Sequence, residues 1–317
     1  MRKPKYLSPS GLGTWTKDRD EYYRRYLADN RWPRDPQTQP MAAGSAFDAY
    51  VKAYMYKELK LGDDSSYELK TLFEAQVAEE WRDWAWDWGK ECFDWYKGVG
   101  GLADIMLLCS GTGVLEVEME FEVRGLVSGP GPEGVVSGPR PTDRPEGIVF
   151  MGKPDLCIRR DGGRPPVILD WKVNGACAAR RPSPRPGYVN KRGAGRGCGV
   201  PYKGAIVAMD SRGDIRCLNI GITGDWGRQL AIYSWVMGAP VGEGWFCCVD
   251  QLCLDRNGVE NGVLAQHRGV VMADEQRRVW DSALECWNLD WVDAHHRMLD
   301  SGPVEIKVGE GVPSWLM

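Results

Sequence analysis

The sequence predicts an α/β fold: a central mixed β-sheet flanked by helices, with a helical N-terminal part and inserted loops. Three observations predict it. Apolar residues recur at helical spacing through the first hundred positions, the period drops to two residues at Val114, and two strand-like segments meet at a Gly162-Gly163 turn before a further helix. With 317 residues, 43% hydrophobic and 26% charged, the chain has enough length for one elaborated domain with a sizeable core. Its expected parts are a mainly helical 1–110, a sheet core at 111–250 carrying an insertion at 175–224, and a C-terminal helical part and tail at 251–317.

Ser8-Pro9-Ser10 supplies capping residues ahead of an aromatic and charged run through Tyr22, Tyr23 and Tyr26, which predicts the first helix. Gly44 to Leu59 predicts a second, with Phe47, Val51, Ala53 and Tyr54 as apolar positions. From about Tyr67 to Trp95 a third, longer helix is expected, and its Trp81, Trp84 and Trp88 form one aromatic stripe. Core packing explains that stripe better than a base-stacking platform. Beyond Val114, the residues Leu115, Val117, Met119, Phe121 and Val123 alternate with Glu116, Glu118, Glu120 and Glu122, the pattern of a strand. The Gly/Pro-rich stretch from Gly125 to Gly147 reads as a loop, because strand-like sequence resumes at Ile148. Strands follow at Asp155 to Arg159 and Val167 to Val173, then a hairpin of Ala205 to Met209 with Cys217 to Ile222. A helix from Trp226 to Met237, capped by Asp225 and ended by Gly238, a strand around Trp245 to Val249, and a final helix from Asp274 to Leu299 complete the order.

No stretch has the apolar length of a membrane span, and Met1-Arg2-Lys3-Pro4 leads into polar sequence without a signal-peptide core. The expectation is a soluble, cytoplasmic protein with no membrane partner. Ten cysteines without a CxxC pair read as reduced core thiols, and a zinc or iron-sulfur site is disfavoured. The only histidines are His267, His295 and His296, so a catalytic metal has to rely on carboxylates, which favour Mg or Mn. The net charge of -4 does not advertise a general nucleic-acid binder. Between Arg180 and Arg216, however, nine basic residues (Arg180, Arg181, Arg185, Lys191, Arg192, Arg196, Lys203, Arg212 and Arg216) face only Asp210 and Asp214, a pattern that suits a polyanion held at one place.

The strands on either side of the Gly162-Gly163 turn should fold back antiparallel, with Ile158 opposite Val167 and Asp155 opposite Asp170. Pro165 and Pro166 leave room for a one-residue slip. Asp170 and Lys172 share a face of their strand while Val167, Leu169 and Trp171 take the other. Two opposed carboxylates repel unless a cation lies between them, so a divalent metal explains the pattern better than sheet stability does.

Gly152-x-x-Asp155 followed by Asp170-x-Lys172 resembles the core of the PD-(D/E)XK nuclease superfamily. The resemblance implies a restriction-endonuclease-like core in which Asp155, Asp170 and the carbonyl of Trp171 hold Mg or Mn and Lys172 serves the hydrolytic water. Gln229 and Tyr233, one helical turn apart, look like the Gln-x-x-x-Tyr motif of the RecB-like branch, where both sit beside the metal and contact nucleic acid. Gly44-Ser45-Ala46-Phe47-Asp48 is similar to that branch's Gly-x-x-x-His, with Asp48 in the histidine's place: either a metal ligand or an exposed helix residue. One of Glu116, Glu118 and Glu120 could approach the metal, although a solvated sheet face is the simpler reading. The first cysteine is Cys92 and the last Cys286, so the iron-sulfur cluster of some relatives is not expected. What the resemblance implies is a metal-dependent deoxyribonuclease, an exonuclease on single strands or duplex ends in recombination or repair of phage or bacterial DNA, with room for a protein partner in such a complex. The rival readings are a nuclease-like subunit that binds DNA or protein without cutting, and a different metal hydrolase on the same carboxylates.

Overall fold

Ser8 caps the first helix, α1 (Pro9–Lys17), its hydroxyl accepting from the Gly11 N–H at 3.1 Å. The computed structural model describes residues 3–60, 63–111, 116–118, 123–127, 148–159, 167–188, 190–193, 207–209, 215–217, 222, 224–239, 241–242 and 246–299. Asp18 ends α1 and caps the four-residue α2 (Arg19–Tyr22), which runs into a π-helical turn, Tyr23–Leu27. The long α3 (Gln39–Glu58) covers the expected second helix. The expected third helix is two: α4 (Leu69–Gln76) and α5 (Arg82–Gly98), separated by extended backbone at Val77 and Ala78. Gln37 holds this break open from a distant segment. Its amide accepts from the Ala78 N–H at 2.7 Å and donates to the Gln76 carbonyl at 2.9 Å, so the chain leaves the helix without orphaning those groups. The tryptophan stripe is core, as expected: Trp88 is buried and stacks on Trp84 at 5.9 Å.

After α6 (Gly101–Gly111) come β1 (Glu116–Glu118), β2 (Val123–Val127), β3 (Ile148–Gly152), β4 (Leu156–Arg159), β5 (Val167–Asn174), β6 (Asn190–Gly193), β7 (Val207–Met209) and β8 (Ile215–Cys217). The helix α7 (Gly224–Val236), strands β9 (Phe246–Asp255) and β10 (Gly258–Val270), and helices α8 (Ala273–Asn288) and α9 (Ala294–Met298) follow. A six-stranded mixed sheet of order β1-β4-β5-β9-β10-β6 forms the centre, parallel only between β5 and β9 and flanked by helices. The crossover between those parallel strands carries α7, as a parallel pair requires. β2 and β3 pair separately, as do β7 and β8, which form the expected hairpin with Val207 opposite Cys217, its second strand starting at Ile215 rather than at Cys217.

The sheet is sandwiched. Ile168, Cys247 and Val249 point into one core with Leu12, Tyr23, Leu230 and Trp280, whereas Leu169, Trp171, Cys248 and Leu264 point into the other with Phe47, Val51 and Tyr96. Alternation along β5 therefore decides which layer each residue meets. Four further expectations are corrected. α7 begins before Asp225, whose carboxylate pairs with Arg228, and Glu275 instead accepts from the Gly224 N–H at 3.0 Å. The single final helix is broken at Leu289, which adopts a left-handed conformation (φ 59°). The strand expected at 245–249 is the start of a long hairpin reaching Val270, so the region after 251 opens with sheet rather than helix. Part of the 175–224 insertion also joins the main sheet, as the edge strand β6 on β10.

The glutamate side chains of β1 and the Gly125 to Gly147 loop beyond Val127 lie outside the described residues. Of the ten cysteines, the seven described form no disulfide with one another, and all but Cys177 are buried. Among the described residues no helix is long and apolar enough to cross a membrane.

Candidate active site

β4 and β5 pair in the expected register, with Ile158 opposite Val167 and Leu156 opposite Leu169. Regular pairing stops there because Lys153 to Asp155 bend away at Pro154, which has no N–H to give a ladder. Asp155 replaces the missing strand: its Oδ2 accepts from the Trp171 N–H at 2.7 Å. The N–H and C=O of one strand residue point to the same side, so the Trp171 carbonyl faces this open edge too. The Trp171 indole lies on the opposite face, buried, as the alternation requires.

Asp170, 2% exposed, stands on the α7 side of the sheet. Lys172 presses its ammonium against Asp170 Oδ2, and Gln229 donates to Asp170 Oδ1 at 3.1 Å. The same Gln229 amide donates to the Tyr233 hydroxyl at 2.8 Å, so one –NH2 spans carboxylate and phenol. Tyr233 is buried because Gly152 gives it room: a Cβ at that position would lie 2.7 Å from the ring. All five sequence-predicted catalytic residues, Asp155, Asp170, Lys172, Gln229 and Tyr233, thus meet where β4 begins.

Asp48 joins them from the other helical layer, and it is not the exposed helix residue that sequence alone allowed. It meets the centre through Lys52, a residue that sequence reasoning missed. Lys52 is 1% exposed, with Nζ 2.9 Å from Asp48 Oδ2 and 3.9 Å from Asp155 Oδ1. Its signal was present as a lysine one turn after Asp48 on the same helix.

The electrostatics follow from crowding. Burial pushes the Asp170 carboxyl up to about 7, with Asp155 adding to the rise and Lys172 opposing it. Asp48 is pushed up to about 6, first by burial and then by Asp155, against the pull of Lys52. For both lysines burial works against the charge, but the carboxylates outweigh it and hold Lys52 and Lys172 above the ordinary lysine value. Burial also raises the Tyr233 phenol, which stays protonated as a donor. Asp48 Oδ1 is enclosed without a hydrogen-bond partner, and so is Asp170 Oδ2 apart from its ion pair. Negative charge is therefore concentrated beyond what the local donors satisfy.

Among the described residues, no three His, Cys, Asp or Glu side chains close into a metal-binding cluster. The reason is visible: two ammonium groups sit among the three carboxylates. Of the basic insertion, Arg185 reaches the site's neighbourhood, lying over Trp226 at 4.1 Å and opposing the charge on Lys172. Arg181 donates to the Asn261 carbonyl and Arg192 pairs with Asp104, so both tie the insertion to the body. The side chains of Arg196, Lys203, Arg212 and Arg216 lie outside the described residues. No family model matches the chain, and no curated protein matches it in sequence.

Proposed function

We propose that the chain is a Mg- or Mn-dependent deoxyribonuclease of the RecB-like branch of the PD-(D/E)XK superfamily, acting as an exonuclease in recombination or repair. The observation that supports this reading most directly is the placement of Asp155, Asp170 and Lys172 at one open sheet edge, with Gln229 of α7 bonded to Asp170. The donor set suits Mg, which takes one or two carboxylates and leaves its other positions to water and substrate phosphates. Asp155, Asp170 and the Trp171 carbonyl would hold the ion, with Asp48 tied to Asp155 through Lys52. When bound, it supplies an activated water and Lewis-acid stabilisation of the phosphate.

The chain's own residues divide the remaining work. Lys172 stays charged, because two carboxylates raise its pKa; it therefore orients the water and neutralises charge on the phosphate rather than accepting a proton. Gln229 fixes the Asp170 carboxylate and aligns the Tyr233 phenol, which donates toward a phosphate or base. In hydrolysis the water oxygen bonds to phosphorus as one P–O ester bond breaks, and the departing oxygen takes up a proton in balance with the one the water gives up.

Digestion of labelled single- and double-stranded DNA with Mg or Mn tests the reading. The wild type cuts, EDTA abolishes cutting, and Lys172→Ala binds without cutting. A wild type that binds DNA but never cuts would instead support a non-cutting assembly subunit. End-blocked and circular substrates, if spared, support exonuclease action.

A further inference from the structure

Beside the site lies a cleft of about 750 Å³ whose inner end is Gln229, Tyr233 and Gly152 and whose outer end is Arg31, Trp32 and Arg34. The N-terminal segment is fastened there by backbone bonds between Leu7 and β3, Leu7 N–H to Val149 O at 2.8 Å and Met151 N–H to Leu7 O at 3.0 Å. Five basic side chains line the cleft; Arg228 is neutralised by Asp225 and Arg25 by Glu21 and Asp35, and Arg31, Arg34 and Lys153 contribute the remaining positive charge. On a chain of net charge -4, that concentration points to an anionic ligand. Arg31 and Arg34 are exposed and make no ion pair among the described residues.

The outer end carries an indole as well as charge. Trp32 is 46% exposed, yet it is held in place: its backbone N–H donates to the Arg24 carbonyl at 3.0 Å, and the Arg24 guanidinium lies 5.1 Å from its ring. A large apolar ring kept in solvent by a cation and flanked by two arginines without ion pairs has the chemistry of a base-stacking platform between phosphate-binding groups. Duplex DNA does not offer its base faces to such a ring, whereas an unpaired strand does.

We infer that this cleft is the track of a single-stranded polynucleotide, with bases stacking on Trp32 and phosphates against Arg31, Arg34 and Lys153 as the strand runs to Gln229 and Tyr233. The inference rests on the nuclease reading for what happens at the inner end, but its binding claim is measured separately.

Fluorescence anisotropy of labelled oligo(dT) and of a blunt duplex, on full-length Lys172→Ala protein, reads binding without cleavage. Adding Trp32→Ala should weaken oligo(dT) binding about tenfold, the scale of one lost base stack, while Trp32→Tyr restores most of it. Arg31→Ala with Arg34→Ala should lower the slope of log affinity against log salt by roughly 1.4 on the single strand, about 0.7 for each phosphate no longer neutralised. Unchanged oligo(dT) affinity in Trp32→Ala overturns the inference, as does an equal loss on the duplex or an unaltered salt slope. All three residues are exposed, so the fold survives the changes. A wild type that never cleaves would sink the nuclease reading and leave this result standing.

Discussion

Two buried carboxylates stand side by side in the register of the central sheet, on adjacent strands and opposite faces, and they are treated in opposite ways. Asp250, on β9 opposite Trp171, is fully enclosed and fully satisfied: Arg268 reaches Oδ1 at 2.6 Å, Tyr96 donates to Oδ2 at 2.5 Å, and the Gln266 amide lies 3.4 Å away. Asp170 is nearly as enclosed, but Asp155 crowds it with a second negative charge, and its Oδ2 has the Lys172 ion pair alone where each Asp250 oxygen is met by a donor from the packed interior. A complete polar network fixes a structure, and an incomplete one held by packing on both sides stores charge for a ligand. The difference separates the pin of this fold from its candidate site.

Exchanging one carboxylate for an amide at each place gives the largest expected effects. Asp250→Asn leaves the Arg268 guanidinium buried without its counter-charge and should cost ~3–5 kcal/mol of stability, measured by urea denaturation. Asp170→Asn should cost less, about 1 kcal/mol, because Lys172 keeps Asp155 as a counter-charge and is 25% exposed, and the charge removed is one that burial disfavours. Its cleavage rate should fall by about 10³-fold, the scale of losing one electrostatic partner of a transition state. Per folded molecule, Asp250→Asn should keep its rate. A variant pair that loses stability and rate together at both positions would erase the distinction.

How far each region could be read from sequence follows the same divide. The hairpin bearing Asp155 and Asp170 was legible because a Gly-Gly turn and two-residue alternation are local signals, and they set the register of Ile158 against Val167. The hairpin of β9 and β10 was not, because Asp250, Gln251, Gln266, His267 and Arg268 interrupt its apolar pattern with polar residues that are buried only by pairing with one another. Burial of that kind depends on partners separated by the whole length of the hairpin. The break between α4 and α5 was hidden for a similar reason, since its cap is the Gln37 amide, which lies before α3 begins. Lys52 escaped notice because an i,i+4 pair with Asp48 usually reads as a solvated helix face, and only the tertiary fold carries it to Asp155.

The structural network also contains a titratable group that sharpens the comparison. His267 is packed against Trp226 at 4.9 Å and has its Nε2 3.3 Å from the Gln251 amide oxygen. Burial, with Arg268 adding, lowers its pKa to about 4, while Asp250 opposes the shift. The folded state therefore keeps the ring neutral where the unfolded chain, near 6.5, binds a proton. Stability from this group is complete above about pH 6.5 and is lost as pH falls toward 4, on the order of 3 kcal/mol over the whole window. The raised Asp170 and Asp48 carboxyls work in the opposite direction over the same window, so the His267 contribution is read as a difference: between about pH 7 and about pH 4.5, urea titrations should show wild type losing about that much more stability, or gaining that much less, than His267→Gln. An unchanged slope in that variant would place the acid sensitivity elsewhere.

The smallest expected effect tests whether the site's incompleteness depends on packing. Gly152 ends β3 against the Tyr233 ring, and a methyl group there would come within 2.7 Å of the ring carbon Cδ1, with Val236 at 3.1 Å on the same side. Neither neighbour is a loose chain end, because Tyr233 is buried and bonded to Gln229 and Val236 packs against the core beside it. Gly152→Ala should therefore cost ~1–3 kcal/mol by overpacking. It should also displace the phenol and, through the shared amide, the Asp170 carboxylate, slowing cleavage about tenfold with little change in DNA affinity. If stability falls and the rate does not, Gln229 holds Asp170 without help from Tyr233, and the motif's tyrosine serves packing alone.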